Sequence, residues 1–122
     1  MNALSGRSGN LYSAVKHGVD EHVDVLVARG EPTVERIVSM GHASPIDFWY
    51  DSPRAEWVVL LSGAARLEFE HEAIHHEMHP GDYVLIDAHR RHRVAWTDPD
   101  IPSVWLTIYH SADLDNAEPD RR

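Results

Sequence analysis

Apolar residues recur along the chain in short runs about ten residues apart, separated by glycine, proline, aspartate and serine. The runs are Val23–Val27, Val34–Met40, Trp57–Leu61, Ala65–Phe69, Ile74–Met78, Tyr83–Ile86, Arg93–Trp96 and Val104–Tyr109. This spacing predicts many short strands and an all-β sandwich or barrel. Alternation supports it: Val23, Val25 and Val27 share one face, as do Leu67 and Phe69, and then Ile74, His76 and Met78. The segment Glu70–Ala73 is expected to close a hairpin. Pro32, Pro45, Pro53, Pro80, Pro99 and Pro102 fall between runs, where no ladder donor is lost. Val15–Arg29 could hold a short helix capped by Asp20, but the valine alternation favours a strand.

At 122 residues the chain is long enough for one core. The expected domain covers residues 11–110, between a flexible N-terminus (1–10) and a flexible acidic tail (111–122). Twenty acidic residues against 11 basic ones give a formal charge of -9, the wrong sign for a phosphate backbone. Nucleic acid is therefore not an expected partner. No apolar stretch approaches the roughly 20 residues of a membrane span, and the first residues do not form a cationic-then-apolar leader. A cytoplasmic protein without a membrane partner is expected. The absence of cysteine excludes thiolate metal sites.

Histidine is the unusual component, with ten in the chain and six of them between His71 and His92. Imidazole is the commonest metal ligand, so each position needs its own test. The pentapeptide His71-Glu72-Ala73-Ile74-His75 satisfies the zinc-peptidase pattern, in which a helix places both histidines on one face and the glutamate acts as base. Its context is a strand and a turn, and residues four apart on a strand lie about 13 Å apart. The peptidase is therefore a remote alternative, and His71, His75 and His79 read as a solvated hairpin face.

The segment Gly81–His92 joins a Gly-Asp turn, the apolar strand Tyr83–Ile86 and a histidine on the next strand. It resembles the second motif of the cupins: Gly, five residues, Pro, one residue, Gly, two residues, His, three residues, Asn. Gly81 and His92 keep the frame, whereas Asp87, His89 and Trp96 stand where Pro, Gly and Asn are usual. The first cupin motif ends in Glu, six residues, Gly, matched by Glu56 and Gly63. Its preceding His-x-His, three or four residues before the Glu, reads Trp49-Tyr50-Asp51 at a spacing of four.

The resemblance implies a small single-domain cupin with a jelly-roll β-barrel, a double-stranded β-helix. It also implies a mononuclear divalent metal site (Zn, Fe, Mn or Ni) held by Glu56, His92 and Asp51. Read from the residues alone, Asp51 and Glu56 flank a turn that could bring two carboxylates together beside His92, a donor set suited to such ions. Trp49, His76 and Trp96 are expected to line the pocket, Trp96 by sharing a face with His92 and Val94. His42, His76 or His89 could complete the ligand set, and Glu56 could instead simply hold His92.

The expected partners are a small-molecule ligand, such as an organic acid or a carbohydrate-like compound, and a second copy of the chain. Trp57, Val59 and Leu61 would face away from the interior, where the N-terminal segment or a homodimer partner could cover them. Two function classes follow. One is a metalloprotein acting on or sensing a small ligand, and the other is a non-catalytic, possibly metal-free, binding barrel.

Overall fold

The computed structural model describes residues 8–15, 21–27 and 32–111. The outer parts of both expected flexible ends, and the helix alternative around Asp20, lie outside the described residues. Eight strands form: β1 (His22–Val27), β2 (Thr33–Ser39), β3 (Ala55–Ser62), β4 (Ala65–Phe69), β5 (His76–Met78), β6 (Tyr83–Ile86), β7 (His92–Thr97) and β8 (Ser103–His110). They make two antiparallel sheets, one ordered β1-β2-β8-β3-β6 and the other β5-β4-β7. Among the described residues there is no helix long and apolar enough to cross a membrane.

The core lies between the sheets. Val58 and Leu60 of β3, Leu67 and Phe69 of β4, Met78 of β5, Ile86 of β6 and Trp105 of β8 form one buried cluster. These residues recur with the two-residue period that sends alternate side chains to one face of a strand.

The outer face of the larger sheet carries a buried ion pair. Arg36 on β2 is 1% exposed and donates from Nε and Nη2 to Asp24 Oδ2 on β1, at 3.0 and 2.6 Å. Its Nη1 donates to the carbonyls of Leu11 and Ser13, so one guanidinium ties the N-terminal segment onto the sheet. The Tyr12 hydroxyl reaches the Leu61 carbonyl at 3.5 Å. Part of the apolar outer face is thus covered from within the chain, while Trp57 stacks on Tyr83 with ring centroids 5.7 Å apart.

The turns follow their residues. At the Gly81-Asp82 turn Gly81 has φ +95°, Asp82 N–H donates to the His79 carbonyl, and the Asp82 carboxylate accepts from His79 N–H. Gly63 joins β3 to β4 at φ +87°, and a Cβ there would lie 2.5 Å from Ser103 Cα. No side chain larger than hydrogen fits.

Two expectations are corrected. Strand β5 begins at His76 rather than Ile74, because the β4–β5 connection is longer than Glu70–Ala73. Glu72 N–H bonds back to the Phe69 carbonyl, His71 takes φ +68°, and Ile74 is 77% exposed. The peptidase motif lies in this connection and not on a helix. His71 pairs with Glu70 and His75 with Glu68, each at the surface.

The second correction concerns Trp96. In the β4–β7 pairing Arg66 faces Trp96, but Leu67 faces Val94, so Ala95 is an extra residue and a bulge. A bulge reverses parity beyond it. Trp96 therefore turns outward, its ring 5.9 Å from the Arg66 guanidinium, and Thr97, 2% exposed, takes the inward place.

Replacing Gly63 with alanine is expected to cost more than about 1 kcal/mol in unfolding free energy, since it adds both a clash and a strained φ. Arg36→Ala, which removes the guanidinium from buried Asp24, is expected to cost about 3 to 5 kcal/mol. Urea denaturation of both variants checks the two values. A loss below about 0.5 kcal/mol for Arg36→Ala would show that the N-terminal clamp is not structural.

Candidate functional site

Between the sheets lies a cavity of about 230 Å³. Its larger-sheet wall is a block of polar side chains set by register. Glu35 on β2 stands opposite Thr107 on β8, and Glu56 on β3 stands opposite Tyr109 on β8. All four line the cavity, with Ile37, Val58 and Trp105 continuing the wall. His92, Val94 and Leu67 from the smaller sheet face them, and Tyr50 stands at the side.

Glu56 and His92 are brought together. His92 Nε2 lies 3.5 Å from Glu56 Oε1, with side chains 8% and 14% exposed. That is ion-pair range and long for a hydrogen bond. The imidazole is held from both ends. Its Nδ1 lies 2.9 Å from the Arg90 carbonyl, which as an acceptor fixes the proton on Nδ1 and turns Nε2 toward Glu56. Its backbone exchanges hydrogen bonds with Tyr50, and its ring sits between those of Tyr50 and Phe69.

A neutral Nε2 would point its lone pair at a carboxylate, so the geometry favours a proton there. Burial depresses the His92 pKa, but the Glu56 carboxylate and the Arg90 carbonyl outweigh it, and the net shift is upward from 6.5. Glu35 is also raised from 4.5, by burial first and then by the charge of Glu56, against a smaller opposing effect of Arg54. The Tyr109 phenol is pushed far upward by burial and then by the charges of Glu56 and Glu35. Two separate groups therefore feel an anionic cavity.

The other expected site residues stand elsewhere. Tyr50, held by an isolated bridge to His92, lines the cavity, whereas its neighbours Trp49 and Asp51 do not. Asp51 lies at the surface, its Oδ1 2.7 Å from His89 Nδ1. His76 is half-buried, edge-on to Phe69 at 4.9 Å, and outside the cavity lining. His42 accepts a hydrogen bond from Met40 N–H through Nδ1. His89, which stands where the cupin motif has Gly, has φ +63°, in the left-handed region that favours glycine.

Glu35, Thr107 and Tyr109 were not singled out as site residues by the sequence. The available signal was weak: Glu35 and Ile37 share a parity, as do Trp105, Thr107 and Tyr109, but which parity faces inward depends on the partner strands.

A cupin domain model matches residues 39–109, and the chain belongs to the cupin family. A crystal structure from Ralstonia eutropha JMP134, of a protein provisionally named a mannose-6-phosphate isomerase, is 46% identical with a TM-score of 0.84. The match covers 88% of this chain and 100% of that one. A cupin superfamily protein from Desulfitobacterium hafniense DCB-2 has a TM-score of 0.69 at 12% identity, over 90% of this chain and 96% of that one. A sugar phosphate isomerase of the cupin superfamily from Silicibacter pomeroyi DSS-3 has a TM-score of 0.53 at 21% identity, over 66% and 51% respectively. These last two share the fold. No curated protein matches the chain.

The family resemblance implies a divalent ion held by three donors. Glu56 and His92 converge, but Asp51 is engaged by His89, and the described residues contain no group of three or more histidine and carboxylate side chains that could hold a metal. The arrangement does not fit the expected three-donor site. It does provide a buried carboxylate–imidazole pair able to hold a proton at Nε2 and accept or donate hydrogen bonds to a guest.

Because the folded pKa of His92 lies above 6.5, its contribution to stability is fully present below pH 6.5 and is lost as pH rises through the folded value. The difference in unfolding free energy between the wild type and His92→Gln is therefore expected to be larger at pH 5.5 than at pH 8.5. Paired denaturation curves at the two pH values check this, and a difference independent of pH would contradict the assigned coupling.

Proposed function

We propose that this cupin binds a small, non-anionic organic molecule in the cavity between its sheets, against the Glu56–His92 pair and without a tightly held metal. The observation that carries this reading is the pair itself, a carboxylate and an imidazole turned together into a cavity of about 230 Å³. The size suits a guest smaller than the drug-sized ligands of pockets of roughly 300–1,000 Å³. The charge selects further. Glu21, Glu35 and Glu56 line the cavity, and among the described lining residues only His92 can carry positive charge. A phosphate or a free organic acid meets repulsion there, even though the Ralstonia relative is named for a sugar phosphate.

A second reading is a divalent ion on Glu56 and His92, favoured by the convergence of two donors that the family frame supplies. With two protein donors the ion would exchange readily, and it would act as a Lewis acid when bound. The two readings separate by metal analysis. Protein purified without chelators and gel-filtered into metal-free buffer is expected to carry well below one ion per chain. A full equivalent that disappears in the Glu56→Ala, His92→Ala double variant would establish the metal reading instead.

The binding reading is tested by ligand-observed NMR against a panel of small neutral, cationic and anionic metabolites. Guests are expected among the neutral and cationic compounds, and their affinity is expected to fall about tenfold or more in Glu56→Gln. A panel bound only through its anions, or bound equally by Glu56→Gln, would overturn it.

A further inference from the structure

The cavity floor contains a polar group that the Glu56–His92 pair does not use. Thr107 is fully buried, lines the cavity, and its hydroxyl has no hydrogen-bond partner among the described residues. A buried hydroxyl without a partner is destabilising relative to a satisfied one, so it points to an interaction completed by something else. It stands directly opposite Glu35 in the β2–β8 register, which brings the two side chains about 5 Å apart. On the other side of β8 its partner is Val58, and Glu56, opposite Tyr109, is its diagonal neighbour at about 7 to 8 Å, within reach of a long side chain.

We propose that this floor is a subsite for a protonated primary amine, whose three N–H bonds meet the Thr107 hydroxyl, the Glu35 carboxylate and the Glu56 carboxylate. The donor count matches: an ammonium offers three donors and no acceptor, and each of the three side chains can accept. The cavity's anionic field, felt at both Glu35 and Tyr109, favours positive charge at this position. Trp105 and Tyr50 supply aromatic surface for the organic part of the guest and for cation–π attraction. The Thr107 hydroxyl is sealed from bulk water, so the guest reaches it by moving a neighbour. Glu35, opposite and only partly buried, is the long side chain able to swing onto the same ammonium.

The inference rests on the reading of the cavity as a binding site, and it adds the charge and donor pattern of the guest. Its test uses three probes of one shape: n-butylammonium chloride, 1-butanol and sodium butyrate. Each is titrated into the full-length, EDTA-treated protein and followed by NMR shifts of the Trp105 indole and the Thr107 methyl. The ammonium is expected to bind at least tenfold more tightly than butanol, and butyrate is expected not to bind. Glu35→Gln should weaken ammonium binding about tenfold, and Thr107→Val should weaken it several-fold. Thr107→Val should at the same time unfold at a higher urea concentration than the wild type, because it removes an unsatisfied buried hydroxyl while keeping the shape.

Butanol or butyrate binding as tightly as the ammonium would overturn the amine subsite and leave the cavity a binding site of another kind. Ammonium binding untouched by both substitutions would place the guest elsewhere and also overturn it. Failure of all three probes would overturn it as well, while the metabolite panel decides separately whether the cavity binds anything. A destabilised Thr107→Val would mean that the hydroxyl has a structural partner, which again contradicts the proposal.

Discussion

Strand β8 is paired along its length on both sides, with β2 and with β3, and that double register determines which side chains share the concave face of the larger sheet. Thr33↔Tyr109 through Ser39↔Ser103 fixes one side, and Ala55↔His110 through Leu60↔Trp105 fixes the other. Because side chains alternate, a slip of one residue in β2 would exchange Glu35 and Ile37 for Val34, Arg36 and Val38. It would place a guanidinium among the apolar core. The Asp24–Arg36 pair on the outer face, with its hold on the Leu11 and Ser13 carbonyls, is thus the outer counterpart of the cavity, and one register satisfies both.

The order of strands was largely legible because burial is written in short periods. Ala65–Phe69 and Tyr83–Ile86 coincide with the observed strands, and the others differ at their ends. The cupin frame was legible through Gly63 and Gly81, which hold positive φ, and through Glu56 and His92. What was hidden depends on events between strands. A single bulged residue, Ala95, reverses Trp96, and nothing in Arg93–Thr97 distinguishes it from a regular strand. The segment before Glu56 is offset by one residue: Tyr50 bridges to His92 and faces inward, so Asp51 goes to the surface and to His89. Glu35 and Thr107 are polar positions within apolar strands, and only their partners show that they point into the core space.

The cavity illustrates how a common fold acquires a particular chemistry through the few side chains that line it. The family frame supplies the turns, the sheets and the positions of Glu56 and His92. This chain adds a second, partly buried carboxylate, an unsatisfied hydroxyl and an aromatic wall, and of the three donors that the motif comparison implied only Glu56 and His92 converge. The proposed preference for non-anionic guests follows from that lining and separates the reading of this chain from the sugar phosphate named for its Ralstonia relative.

The central claim is that Glu56 and His92 form one coupled unit inside the cavity. The direct measurement is the NMR titration of the His92 imidazole in the wild type and in Glu56→Gln. The wild-type midpoint is expected above 6.5 and is expected to fall markedly in the variant, where burial remains and the carboxylate charge is gone. The same midpoint in both proteins would contradict it.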